Sequence, residues 1–102
     1  MADKAWKRAE RRVAGAVGGK RNPLSGATSG HTSGDVIHPV LYIEVKYKAR
    51  FAITTLMQSV RAKAKEEGKL PVLALQERGK KTRYYVLDER DFDRFVEELT
   101  KR

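Results

Sequence analysis

Apolar positions change their period along this chain, and each change marks a predicted element. Over residues 40–48 a run of Val-Leu-Tyr-Ile gives way to alternation, with Glu44 and Lys46 alternating with Ile43, Val45 and Tyr47. A period of two predicts a strand, with Ile43 and Val45 on one face and Glu44 and Lys46 on the other. Over residues 51–67 the period lengthens. Ile53, Leu56, Met57, Val60 and Ala64 recur at three and four, the stripe of a helix, and Gly68 stands where a C-cap belongs. Residues 71–76, PVLALQ, are apolar almost throughout and predict a strand buried on both faces. A turn at 77–81 leads to a further strand at 82–87. Asp88 then caps a last helix that carries Phe92, Phe95, Val96 and Leu99 inward.

Upstream of residue 40 the signals are shorter. Residues 35–37 form a brief strand joined to the next by a tight turn at His38-Pro39. Residues 3–17 read as a helix capped by Asp3 and ended by Gly18-Gly19, with Trp6, Ala9, Val13 and Val17 on one face. Residues 18–34 are rich in Gly and Ser and form a loop, with an optional extra strand at 24–28. The order is α-β-β-α-β-β-α, with room for that one extra short strand. The helix at 51–67 serves as the crossover between parallel strands. These elements predict the α/β class, a mixed central sheet flanked by helices, in one domain over residues 1–102.

Charge changes the picture more than composition does. The 102 residues carry a net charge of +9, with 40% hydrophobic and 34% charged residues, as in a soluble globular protein. No apolar run nears the roughly 20 residues of a membrane helix, and residues 1–12 lack the apolar core of a signal peptide. With no cysteine there is neither a disulfide framework nor a thiolate metal site. The expected location is the cytoplasm. The excess of basic residues favours a polyanionic partner, nucleic acid first. Seven basic and two acidic residues fall in 1–22, and six basic and no acidic residues in 46–65. Between the blocks, residues 23–45 hold no Lys or Arg, only Asp35 and Glu44. Arg8, Arg11, Arg12, Lys20, Arg21, Lys48 and Arg50 are the expected contacts to a DNA backbone.

The carboxylates are out of place. Glu44 interrupts a core strand, Asp35 opens the strand that a tight hairpin returns beside it, and Glu10 lies within the apolar stripe of the first helix. An unpaired buried carboxylate is costly, so Glu10 must meet a cation or lie at the stripe's edge. Three carboxylates brought together near Lys46 repel one another unless a cation intervenes. An all-oxygen ligand set selects a hard ion, Mg²⁺ with Mn²⁺ as substitute, and the Val45 carbonyl offers a further oxygen. Such an ion activates water and polarises a phosphoryl oxygen, with Lys46 placed to orient that water or stabilise the transition state.

The pattern Asp35-X₈-Glu44-Val45-Lys46 resembles the PD-(D/E)XK nuclease motif. The segment KAWKRAERRV, with Glu10 in an Ala-Glu-Arg context, resembles the first helix of archaeal-type Holliday junction resolvases, and GKLPVLAL resembles the strand after their crossover helix. The likeness spans residues 4–87 and is nearest to phage-borne members, which would place the protein in a host's cytoplasm or nucleoid. It implies a restriction-endonuclease-like core, metal ligation by Glu10, Asp35 and Glu44, a site completed by Lys46, and a helpful hydroxyl at Ser33. The function implied is paired phosphodiester hydrolysis at four-way DNA junctions by a homodimer, since such a junction is nearly two-fold symmetric. One departure is visible. Where the archaeal enzymes carry an apolar strand with a basic residue, this chain reads GKRNPLSG.

Plainer readings exist for each residue. Glu10 pairs with a neighbouring cation, Asp35 is a turn residue after Gly34, and Glu44 and Lys46 form a solvated strand face. His31 and His38 have no ligand-set spacing and read as structural. Tyr42 and Trp6 read as core, and Gln58 as solvated. Two other functions stay open: a nuclease of the same fold with another DNA target, such as nicking, mismatch or restriction-type cleavage, and a non-catalytic basic DNA-binding protein.

Overall fold

In the computed structural model, which describes residues 4–23 and 32–101, five strands lie in chain order across a single sheet. They are β1 (Lys20–Arg21), β2 (Val36–Ile37), β3 (Leu41–Lys48), β4 (Leu70–Glu77) and β5 (Arg83–Val86). β3 and β4 run parallel, and every other neighbouring pair is antiparallel. The helices are α1 (Ala5–Val17), α2 (Ile53–Glu67) and α3 (Phe92–Thr100), the last entered through a 3₁₀ turn at Glu89–Asp91. The protein is thus α/β, with a five-stranded mixed open sheet and three helices. The extra short strand is β1, at 20–21; the expected position at 24–28 lies outside the described residues, as do Asp3 and His31.

Strand alternation divides the core in two. Ile43 and Val45 of β3 and Val72 and Ala74 of β4 pack with Ala9, Val13 and Ala14 of α1 on one face. Tyr42, Leu73 and Leu75 pack with Met57, Val60 and Ala64 of α2 on the other. β4 is buried from Leu70 to Gln76, as its unbroken apolar run predicts. The single parallel pair is the one bridged by α2, because parallel strands need a long connection.

Glycines end both long helices. Gly18 and Gly68 take left-handed conformations, φ 74° and 65°, and the amides of Gly19 and Lys69 close back on Ala14 and Ala64 at 2.9 Å each. Gly19 is required for a second reason. A Cβ there would stand 2.5 Å from the Ile37 carbonyl oxygen, so α1 reaches the sheet only through a residue with no side chain. At the hairpin, His38 Nδ1 accepts from the amides of Val40 at 3.1 Å and Leu41 at 3.0 Å. Burial pushes the His38 pKa down, which suits a neutral acceptor. Its role is structural, as the sequence predicts.

Three expectations about apolar residues fail. Trp6 is 41% exposed rather than a core anchor; its ring lies 5.5 Å from Lys7 Nζ and 5.8 Å from the Arg21 guanidinium. α2 begins at Ile53 rather than residue 51, and Ile53 itself is exposed. In α3 only Phe95 reaches the core, while Phe92, Val96 and Leu99 are 53%, 43% and 79% exposed. Periodicity correctly finds the apolar stripe of α3, but no other part of the described chain covers it.

Candidate active site

The site is built where β2 parts from β3. The last paired residues of these two strands are Val36 and Ile43, and among the described residues no strand continues along β3 beyond them. Asp35 fills that place with its side chain. Its amide still donates to the Ile43 carbonyl at 2.9 Å, but the amide of Val45, which a longer β2 would have paired, donates to Asp35 Oδ2 at 2.7 Å. Asp35 does lie in a bend at 33–35, as the plainer reading has it, but it is buried, at 5% exposure.

From this position Asp35 senses both faces of the sheet. Glu44 alternates with Ile43 and Val45 and so lies on the α2 side, with Lys46 Nζ 3.2 Å from its Oε1. Glu10 comes from α1 on the opposite side, 5% exposed. The cation that its burial demands is Arg21, whose Nε donates to Glu10 Oε1 at 2.8 Å. The Asp35 pKa is pushed up to about 7. Burial is the largest cause, followed by repulsion from Glu44. Glu10 adds to the rise, and the Val45 amide and Lys46 oppose it without cancelling it. At neutral pH this carboxyl therefore shares its occupancy between a proton and a charge.

The donor chemistry fits a hard cation in part. Among the described residues, no three of His, Cys, Asp and Glu stand close enough to hold a metal, so the expected cage of Glu10, Asp35 and Glu44 is not assembled here. Glu10 comes from α1 on one face of the sheet and Glu44 lies on the other, and Glu10 is in addition paired with Arg21. Mg²⁺ asks for less than a cage: one or two carboxylates, with water and phosphate oxygens completing its shell. Asp35 and Glu44, whose charges repel each other, are the two carboxylates that could serve such an ion, with the Val45 carbonyl as a further oxygen.

Ser33 is engaged rather than free. Its Oγ lies 2.9 Å from the Tyr42 hydroxyl and 3.2 Å from Glu67 Oε2, and its amide donates to that same oxygen at 3.0 Å. Thr32 Oγ1 donates to Glu67 Oε1 at 2.5 Å. Asn22, fully buried, donates to the carbonyls of Thr32 at 3.0 Å and Gly34 at 2.8 Å. These bonds fix the backbone on which Asp35 sits. Tyr42 is core, as expected, but its hydroxyl is also part of this anchor; burial raises its pKa, which keeps it a neutral partner.

Sequence reasoning missed Glu67 and Asn22. Glu67 had a signal: a carboxylate in the last turn of a helix opposes the helix dipole, so it needs another partner. Asn22 had none. Burial alone would raise the Glu67 pKa, but the Ser33 amide, the Thr32 and Ser33 hydroxyls and Lys69 together hold it below the usual range. Glu67→Ala is therefore expected to destabilise the fold by about 1–3 kcal/mol at neutral pH, since it removes the acceptor shared by the Thr32 hydroxyl and the Ser33 amide and hydroxyl. Because the folded pKa is depressed, the carboxylate's contribution is present above the ordinary carboxylate pKa and fades as pH falls through the folded value. Urea unfolding of both proteins at pH 7 and pH 3 checks this; an equal gap at both would refute it.

The expected DNA contacts divide. Arg8, Arg11, Arg12, Lys20, Lys48 and Arg50 are exposed, whereas Arg21 is half-buried and engaged with Glu10 and Trp6. Gln58 is exposed, as the sequence suggests. No helix among the described residues is long and apolar enough to cross a membrane. No protein-family model, curated protein or solved structure matches this chain.

Proposed function

We propose that this protein is a Mg²⁺-dependent endodeoxyribonuclease of the PD-(D/E)XK kind that resolves four-way DNA junctions. The observation that carries the reading is Asp35: a buried carboxylate that caps the Val45 amide where β2 parts from β3 and is repelled by Glu44, with Lys46 on the same strand as Glu44. Buried groups whose pKa is strongly shifted by burial and by a neighbouring like charge often mark functional sites.

Asp35, Glu44 and the Val45 carbonyl would hold the ion. When bound, Mg²⁺ supplies Lewis-acid polarisation of the scissile phosphoryl group and a water of lowered pKa. Lys46, whose side chain is 27% exposed and whose Nζ lies 3.2 Å from Glu44, would orient the nucleophilic water or meet charge that develops on the phosphate. Glu10, paired with Arg21, stands behind Asp35 and adds to the repulsion that raises its pKa. Arg8, Arg11, Arg12, Lys20, Lys48 and Arg50 grip the backbone, and replacing them weakens binding in a salt-dependent way. Paired cuts on a two-fold substrate call for a homodimer, for which the exposed stripe of α3 is the candidate contact.

The test is cleavage of a labelled four-way junction with Mg²⁺, beside EDTA and linear duplex controls. Symmetric cuts in the junction alone, abolished by EDTA, are the expected result. Preference for linear duplex would move the protein to a same-fold nuclease with another target. DNA left intact in Mg²⁺ would leave a non-catalytic basic DNA-binding protein.

A further inference from the structure

A second charged feature lies on the other flank of α2. Positions 58, 61, 62 and 65 recur at helical spacing and form one stripe, and Glu67, which anchors the loop of Asp35, lies about half a turn from it at 100° per residue. That stripe faces the 3₁₀ turn and the start of α3 across a cleft of about 480 Å³. Five cations line it, Arg61, Lys65, Lys69, Arg90 and Arg94, over a floor that includes Pro71; a single carboxylate, Asp91, joins them.

The walls of this cleft are held in place. Asp91, 7% exposed, takes Arg61 Nε at 2.8 Å and Nη2 at 3.2 Å, which ties α2 to the turn before α3. Asp88 caps that turn through the Arg90 amide at 2.9 Å and holds the Arg90 guanidinium at 2.7 Å and 2.9 Å. Lys69 leans on Glu67 at 3.5 Å. Lys65 and Arg94 are exposed and have no carboxylate partner among the described residues. The result is a concave surface with fixed guanidinium groups and two uncompensated cations, a shape that concentrates positive potential.

We propose that this cleft binds phosphate, and that its ligand is the backbone of a nucleic acid outside the cleaved segment. The carboxylates take Nε and Nη2 of Arg61 and Arg90 and so hold these guanidinium groups in place with Nη1 left for phosphate oxygens, and Lys65 and Arg94 supply the charge that draws them in. The proposal does not require that the protein cut DNA. It adds a binding surface separate from α1 and from the Asp35 site, such as a further arm of a branched substrate would occupy.

The experiment measures junction binding by fluorescence anisotropy in EDTA, over a range of salt, for the wild type and for Lys65→Ala/Arg94→Ala. In parallel, the side-chain NMR signals of Lys65 and Arg94 in the wild type are followed during titration with tripolyphosphate. The expected result is a salt slope shallower by about 0.9 for each phosphate no longer neutralised, close to two in all. An unchanged slope with shifts on tripolyphosphate would keep the phosphate cleft and assign it to a free polyphosphate. An unchanged slope with no shifts overturns the proposal. If the double variant fails to fold, shifts of the wild-type signals on adding DNA decide in its place. Failure here leaves the cleavage assay untouched, and failure of cleavage leaves the salt slope untouched.

Discussion

Asp35→Asn is expected to abolish junction cleavage, by about a thousandfold or more, and to leave junction binding in EDTA unchanged. Asparagine keeps the size of the side chain and an oxygen for the Val45 amide, which donates to Asp35 at 2.7 Å, and the backbone pairing with Ile43 does not involve the side chain at all. The fold of the strand edge should therefore survive. What disappears is the charge that would hold a divalent cation between this residue and Glu44. Glu44→Gln should behave alike, since it removes the second charge and leaves Lys46 in place. Cleavage at the wild-type rate by either variant would remove both from the site. A melting temperature measured beside each rate separates lost chemistry from lost structure.

The arrangement behind this prediction was partly legible in the sequence. Alternation of Glu44 and Lys46 with Ile43 and Val45 placed the first two on one face, and the short strand ending at His38-Pro39 placed Asp35 beside them. Both follow from local periodicity and turn chemistry, which are written in neighbouring residues. The unbroken apolar run of 71–76 likewise announced a central strand. The failures share a different cause. A helical stripe shows which side of a helix is apolar, but not whether the fold supplies anything to cover it, so Leu99 and Trp6 were expected inside and are exposed. The partner of Glu10 was predictable as a cation but not as Arg21, eleven residues away on a two-residue strand. A three-carboxylate cage, reasonable from spacing alone, is not what the described residues form, because Glu10 and Glu44 come to Asp35 from opposite faces of the sheet. Glu67 and the cleft beyond α2 depend on which flanks of a helix meet which loops, and a single sequence does not encode that locally.

Stability in the absence of metal should fall as pH rises through neutrality, and Mg²⁺ should reverse the loss. Asp35 has its folded pKa raised to about 7 from an ordinary 3.8, so the folded state holds this proton more tightly than the unfolded chain does. Its contribution is then fully present below the ordinary value and is lost as pH climbs through 7. For a shift of this size the loss is on the order of 2–4 kcal/mol between pH 5 and pH 8. Asp35→Asn removes the titrating group, so the variant should be the more stable protein at pH 8 and should lack this component of the pH slope. Glu44 repels the charged form of Asp35, and a divalent cation bound by both turns that repulsion into attraction. At a hundred times its dissociation constant such an ion adds about 2.7 kcal/mol. Mg²⁺ should therefore raise the wild-type melting temperature at pH 8, do little at pH 5, where the proton occupies the carboxyl, and do nothing for Asp35→Asn. Thermal unfolding at the two pH values, with Mg²⁺ and with EDTA, reads all three. If Mg²⁺ stabilises the wild type and Asp35→Asn equally, or neither at pH 8, the two carboxylates do not hold a common ion, and the raised pKa of Asp35 marks only a buried acid on a strand edge.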